Sequence, residues 1–261
     1  MRTLVVVMPV MNEEEGISEF ILELQQELSA WSPKFVIVDD QSTDNTVGEI
    51  HRLKECGIDL ILHLNESNLG HGPSTIKALQ FGMNLNSDFI VAVDGDGQFL
   101  GSDIRNLALL LDSVNVDVVE GVRLERNEPL YRKFVTLMTR VLVLVSTRHL
   151  PRDANTPLRG YRPDALKLLL SKTDKGMLTP NLLFSALSRK WKLDVLEVPV
   201  RSIPRRGSDS QGTMFGKGPK SLPSRRFIGF LWRALLEWTT LFFSLPVDNR
   251  QNENTSRVEN Q

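Results

Sequence analysis

Phe89-Ile90-Val91-Ala92-Val93-Asp94-Gly95-Asp96-Gly97-Gln98 is the stretch whose reading decides the fold. An apolar run of strand length ends in two aspartates one residue apart. Glycines at 95 and 97 let the backbone turn tightly around them. Carboxylates this close repel each other, so the pair is costly unless a cation sits between them. Oxygen ligands on a short loop suit a hard ion, Mg²⁺ or Mn²⁺, which also holds phosphate oxygens. The stretch therefore predicts a metal–diphosphate site at the end of a strand.

Outward from it, strand and helix patterns alternate. Residues 4–8 are a β-branched-rich run, and Ile17, Phe20, Ile21, Leu24, Leu28 and Trp31 follow at helical spacing. Residues 35–38 form a second apolar run, ending in Asp39-Asp40. A helix is expected over 45–56 with Asp44 as its N-cap, a strand over 60–64, a helix over 74–85 and the fourth strand over 89–93. A helix over 104–111 and a strand over 116–122 come next. The pattern predicts an α/β, Rossmann-like, mostly parallel sheet with helices on both faces. Ligands of such sheets bind outside the carboxyl ends of the strands. Residues 10–13, 39–44 and 94–98 all follow strand ends and are expected to meet on one rim.

The second half is less regular. Residues 134–145 are strongly apolar around Arg140. Helices are expected over 163–171 and 180–190, and a strand over 193–200. Residues 201–226 hold 7 Lys/Arg and one acid, Asp209, which predicts a mobile cationic loop. Residues 227–247 approach the roughly 20 apolar residues that span a bilayer. Arg233 and Glu237, four apart on one face, instead suggest an amphipathic helix. It fits either a membrane surface or packing on the domain or a second subunit. The expected division is a catalytic domain over 1–220, this helix within 221–247, and a disordered polar tail over 248–261.

Composition narrows the class. A content of 41% hydrophobic and 24% charged residues is that of a globular protein. Cys56, the only cysteine, excludes an intrachain disulfide and a thiolate cluster and fits a reducing cytoplasm. The apolar run at 4–8 is too short for a secretory signal. Residues 1–100 hold 5 Lys/Arg against 16 Asp/Glu, and residues 101–261 hold 26 against 16. An acidic half suits a metal, and a basic half suits phosphates or an anionic surface; mutual neutralisation explains the asymmetry equally well.

Each polar cluster has an ordinary structural explanation beside a functional one. Asp39 and Asp40 can accept hydrogen bonds from a base or a ribose, but turn chemistry also uses aspartate. The adjacent pair exceeds what a helix cap needs. Glu14 and Glu15 suit a helix start, which leaves Asn12 and Glu13 as the better site candidates. The Asn68-Leu69-Gly70-His71-Gly72 loop could bring backbone N–H groups to a phosphate. Arg123, Arg126, Arg132 and Lys133 follow the fifth strand, where cations could grip phosphate. Asp153, in Arg152-Asp153-Ala154-Asn155-Thr156, is either a loop residue or a general base.

Taken in order, Pro9-Val10-Met11-Asn12-Glu13, the 38–46 segment Val-Asp-Asp-Gln-Ser-Thr-Asp-Asn-Thr, the 68–72 loop and Asp94-Gly95-Asp96-Gly97-Gln98 resemble family 2 glycosyltransferases of the GT-A fold. They look most like the polyprenol-phosphate (dolichol-phosphate) sugar transferase branch, over roughly residues 3–207. The resemblance implies that Asp39, Pro9 and Glu13 line a nucleoside pocket, beside which Asn12, Asp40 and Gly70 are expected to bind the nucleotide sugar. It implies that Asp94, Asp96 and Gln98 hold Mg²⁺ or Mn²⁺ and the diphosphate. Asp153 matches the family's base or acceptor-site aspartate. Arg123, Arg126 and Arg132 match its arginines near the acceptor phosphate, and Arg205 belongs to a basic segment that closes over the donor.

There are departures. The family's basic segment usually ends in Ser-Lys, whereas Ser208-Asp209-Ser210-Gln211 follows here. A C-terminal pair of transmembrane helices, common among lipid-linked members, is not present in this sequence. The expected activity is metal-dependent, inverting transfer of a sugar from a UDP- or GDP-linked donor to a polyprenyl phosphate. The alternative acceptor is a saccharide or protein hydroxyl. A nucleotidyltransferase would carry a Gly-rich, Arg-containing loop after the first strand, where Pro9–Glu13 stands instead. A non-catalytic sugar-nucleotide sensor would not need the aspartate pair. No nucleic-acid partner is expected, and peripheral contact with the cytoplasmic membrane face through 201–247 is.

Overall fold

The computed structural model describes residues 2–124, 130–173, 176–207, 229, 232–234 and 236–239, with backbone only over 130–135. In chain order the elements are β1 (Leu4–Val10), α1 (Ile17–Glu27), β2 (Lys34–Asp39), α2 (Thr46–Glu55), β3 (Leu60–Leu64), α3 (His71–Met83) and β4 (Phe89–Ala92). Then come α4 (Gly101–Ser113), β5 (Val118–Arg123), α5 (Leu130–Thr147), β6 (Arg159–Tyr161), α6 (Pro163–Leu170), α7 (Pro180–Lys190) and β7 (Val195–Val200). The strands form one sheet in the order β3-β2-β1-β4-β6-β5-β7. Only β6 runs antiparallel to its neighbours, β4 and β5.

All seven residues of β1 are buried, as an inner parallel strand covered on both faces requires. Alternation along it sorts the core into two layers. Leu4, Val6 and Met8 face α1, α2 and α4, against Phe20, Ile21, Ile50, Leu53 and Leu107. Val5 and Val7 face the other way, against Ile76 and Leu79 of α3, with Leu166 of α6 and Phe184 of α7 in the same layer. Pro9 supplies no N–H where the β1–β4 ladder ends. There the chain of β4 leaves the sheet, and Gly95 N donates back to Pro9 O at 3.2 Å. The aspartate loop starts at that departure.

Most expected elements form within a few residues of their predicted ends. Three differences have physical causes. The sequence pattern marks no element at β6; it is three residues long and is made by pairing with β4 and β5, not by propensity. Helix α3 begins at His71 rather than Ser74, because Gly70, at φ 90°, takes the cap position in a conformation that disfavours other residues. Asn45, not Asp44, occupies the cap position of α2. Asp44 still serves that turn, since its Oδ1 accepts from Thr46 N at 3.0 Å.

Helical residues within 232–239 pack on the domain. Trp238 is buried with Val143 of α5 and with Leu182 and Ala186 of α7. Glu237 Oε1 accepts from Leu178 N at 2.8 Å. Of the readings open for 227–247, packing on the domain therefore holds for this face, while Trp232 and Leu236 remain exposed. The expected loop beyond Gly207 and the expected tail lie outside the described residues.

Gly160 of β6 is enclosed so closely that a Cβ would meet Leu107 Cδ2 and Leu111 Cδ1 at 2.4 Å each. Gly160→Ala is expected to lower stability by about 1–3 kcal/mol through overpacking. Urea unfolding would show this as a lower midpoint with an unchanged slope.

Candidate active site

The carboxyl edge of the sheet collects the acidic loops. Gly97 adopts φ 65°, and a side chain there would meet Arg206 Cδ at 2.7 Å. Only a glycine allows both the turn and that approach. Asp96 Oδ1 accepts from Gln98 N at 3.1 Å, which closes the loop on itself. Asp94 keeps an open side, with 26% of its side chain accessible, and His71 Nε2 lies 3.6 Å from its Oδ1.

Burial, and then the neighbouring Asp94 charge, push the Asp96 carboxyl up to about 7. Burial raises Asp94 as well. Glu13 is pushed up to about 7 by burial, while Arg205 pulls it back down. Such a cluster holds protons unless a cation replaces them. Its donors are hard oxygens, which fit Mg²⁺ or Mn²⁺. Among the described residues no group of three or more His, Cys, Asp or Glu forms a cage. A cation here would therefore complete its shell with ligand oxygens and water. The structure places Gln98 beside the pair, with its backbone O accepting from Ile203 N at 2.9 Å.

The two adjacent aspartates at the end of β2 separate. Asp40 is buried, and its Oδ1 accepts from Asn65 Nδ2 and Leu69 N at 2.8 Å each. Its Oδ2 accepts from Gly70 N, also at 2.8 Å. Asp40 thus holds the 65–70 loop in place. Asp39 Oδ2 accepts from Ser42 N at 3.0 Å, which ties down the turn at the strand end. Asn12, at φ 55°, faces the same turn: its Oδ1 accepts from Thr43 N at 2.8 Å, and its N donates to Ser42 Oγ at 2.9 Å.

After β7 the chain runs back along this edge. Ser202 bridges to Phe99, and Arg206 N donates to Asp96 O at 3.2 Å. Arg205 Nε donates to Glu13 Oε2 at 2.9 Å, and its Nη2 donates to Asn12 O at 3.0 Å. Arg206 donates to Gly97 O at 3.2 Å, pairs with Glu19 and Glu23, and lies 5.3 Å over the Phe20 ring. In this conformation Arg205 is therefore engaged with Glu13 in the wall of the site.

The end of β5 carries the other half. Arg123 Nε donates to Asp153 Oδ2 at 2.8 Å, and its Nη2 donates to Asp153 Oδ1 at 3.2 Å and to Asn155 O at 3.0 Å. The two residues expected at the acceptor side thus form a two-pronged pair on the same edge. Arg126 lies outside the described residues, as does the Arg132 side chain on α5. Sequence reasoning missed Glu120, Arg159 and Arg189, buried charges that meet behind this pair. An acid in the middle of the Val118–Arg123 strand was the available signal, since lone buried charges are rarely left unpaired.

A mostly parallel sheet with acidic loops at its carboxyl edge is the architecture of GT-A glycosyltransferases. Residues 5–169 match the model of glycosyl transferase family 2, and the chain belongs to that family. It is 26% identical over 229 residues to the UDP-N-acetylglucosamine–dolichyl-phosphate N-acetylglucosaminyltransferase of Methanococcus voltae, covering 81% of this chain and 90% of that one. It is 26% identical over 211 residues to the undecaprenyl-phosphate 4-deoxy-4-formamido-L-arabinose transferase of Edwardsiella ictaluri, covering 79% of this chain and 62% of that one. Glucosyl-3-phosphoglycerate synthase of Mycobacterium tuberculosis, solved with Mn²⁺, UDP and phosphoglyceric acid, shares the fold at a TM-score of 0.61 and 14% identity, over 94% of this chain and 80% of that one. The protein is a glycosyltransferase.

Two predictions follow from the charges and bonds at this edge. Asp40→Ala takes one acceptor from buried Asn65, which keeps its bond to Ser74, and from the part-buried amides of Leu69 and Gly70, at about 1–3 kcal/mol for a donor that water cannot reach. Faster hydrogen exchange over 65–70 is expected, along with a lower unfolding midpoint. A carboxyl with a raised folded pKa holds its proton more tightly folded than unfolded. Its stabilising contribution is complete below the ordinary 3.8 and is lost as pH rises to about 7. Metal-free protein should therefore lose melting temperature relative to Asp96→Asn across that window. Added Mn²⁺ should return the loss above it, because deprotonated carboxylates bind the ion.

Proposed function

We propose that this enzyme transfers a sugar from a UDP- or GDP-linked donor to a polyprenyl phosphate, with inversion at the anomeric carbon. The observation that carries the acceptor class is the outer face of α5, the helix between Arg123 and Asp153 in the chain. Leu137, Met138, Val141, Leu144 and Val145 are exposed on it, Val145 at 75%. Trp232, at 63%, and Leu236 add exposed apolar surface on the helical segment that packs with α5 through Trp238. Arg148 and His149, both exposed, follow this helix. An apolar face with cations at its end suits a bilayer surface bearing anionic lipid. Among the described residues no helix is long and apolar enough to cross a membrane. Contact is therefore proposed to be peripheral.

The donor would lie along the edge from Asp39 and Asn12 to Asp94 and Asp96. A divalent cation on these two aspartates would neutralise the departing diphosphate and orient it. Arg123 would bind the acceptor phosphate, exchanging part of its hold on Asp153 for the incoming oxygens. One phosphate oxygen attacks the anomeric carbon opposite the diphosphate, and the bond to the diphosphate breaks. A phosphate monoester is already an anion at neutral pH, so no proton needs removal. Positioning by Arg123 then carries the catalysis. The pairing of Asp153 with Arg123 supports this role over that of a base, which would need a free carboxylate facing a hydroxyl.

Incubation with radiolabelled UDP- and GDP-sugars, polyprenyl phosphate and Mg²⁺ or Mn²⁺ is expected to yield labelled lipid. Asp96→Ala should abolish the product while the fold survives. No labelled lipid from any donor would refute the acceptor assignment. Leu137→Asp with Val145→Glu should weaken sedimentation with anionic vesicles several-fold and leave donor binding unchanged.

A further inference from the structure

Glu120 of β5 is a carboxylate in the middle of the sheet, with 1% of its side chain exposed, and two arginines converge on it. Arg159 Nη1, on a fully buried side chain, lies 2.9 Å from Oε1, as an ion pair rather than an aligned hydrogen bond. Arg189 Nη2 lies 2.9 Å from Oε2 and 2.7 Å from Glu197 Oε1. Arg189 Nη1 also donates to Ser185 Oγ at 2.8 Å. The four charges balance. Even a balanced buried network is often no more stabilising than apolar side chains of equal volume, so stability alone gives little reason for it.

The remaining contacts of the network give another reason. Arg159 Nε donates to Thr156 O at 3.1 Å, and its Nη2 donates to Ala154 O at 3.0 Å. Glu197 Oε1 accepts from Arg152 N at 3.1 Å. All three bonds fall on the backbone of 152–156, on both sides of Asp153. The front of the same loop is held by Arg123, through Asp153 and Asn155 O. Glu120 and Arg123 share β5, three residues apart. One strand thus grips the loop from behind through Arg159 and from the front through Arg123.

We propose that Glu120, Arg159 and Arg189 are positioning residues for the acceptor site. They fix the 152–156 backbone so that Asp153 holds the Arg123 guanidinium where the acceptor phosphate arrives. This inference rests on the acceptor reading given under the proposed function.

The double variant Glu120→Gln/Arg159→Met tests it, because it removes one charge of each sign and leaves Arg189 paired with Glu197. The variant should melt within a few degrees of the wild type and bind UDP- or GDP-sugar with unchanged affinity. Amides of 152–156 should exchange at least about tenfold faster. The kcat/KM for polyprenyl phosphate should fall at least about tenfold. Wild-type exchange and wild-type kcat/KM in the folded double variant would overturn the proposal, and so would a loss of donor affinity in step with turnover. Should the double variant fail to fold, Arg159→Lys keeps the charge beside Glu120 but cannot reach both carbonyls. It should show the same loop exchange, and wild-type protection in it would likewise overturn the proposal. If wild-type protein transfers to no lipid phosphate, the acceptor reading fails, while loop exchange still decides whether the network holds 152–156.

Discussion

Three carboxylates, Glu13, Asp94 and Asp96, are buried close together at the carboxyl edge of the sheet, and the cost of that burial is the constraint around which this edge is built. Burial raises all three above the ordinary carboxylate range, and neighbouring carboxylates push Asp96 and Glu13 further. Arg205 answers Glu13, and His71 lies beside Asp94. Arg205 and His71 lower Asp96 only in part, so its carboxyl stays raised and the pair suits a cation. The loops are shaped to hold this arrangement: Gly97 turns the chain under Arg206, and Asp40 pins the loop that carries Gly70 and His71.

The sheet makes the crowding possible. Fully buried strands such as β1 supply a rigid base from which short loops leave at one edge. The two apolar layers stabilise that base from both faces, so unfavourable charge at its rim is tolerated. Stability lies in the layers, and the crowded polar groups lie at the edge. The buried Glu120–Arg159–Arg189 group is the exception, since it carries charge into the sheet. Arg159 leads it out to the loop around Asp153, through the carbonyls of Thr156 and Ala154.

Much of this was legible in the sequence. Apolar runs of β length, separated by helical periodicities, marked the parallel half because each such strand is buried on both faces and carries its own signal. The aspartate loop was legible because a paired carboxylate has few structural uses. What stayed hidden depends on pairing across long distances. β6 is strand only because β4 and β5 flank it, and Arg-Gly-Tyr carries no pattern of its own. Asp39 and Asp40 look equivalent in a row of letters. Strand alternation sends one to its own turn and the other to the 65–70 loop. The partner of Glu120 could not be named either, because Arg159 and Arg189 reach it from a different strand and a helix.

The return of the chain after β7 has a kinetic consequence. Arg205 meets Glu13 across 192 positions of sequence, and Arg206 meets Glu23 across 183. During synthesis the first acidic loop leaves the ribosome long before either arginine does. Until then its carboxylates have only water and protons to compensate them, and the loop has no lid of cations to order it. Closing so large a loop is entropically slow, and contacts of this separation form late in folding. This edge is thus expected to be the last part of the enzyme to mature, on a sheet whose first four strands can already have paired.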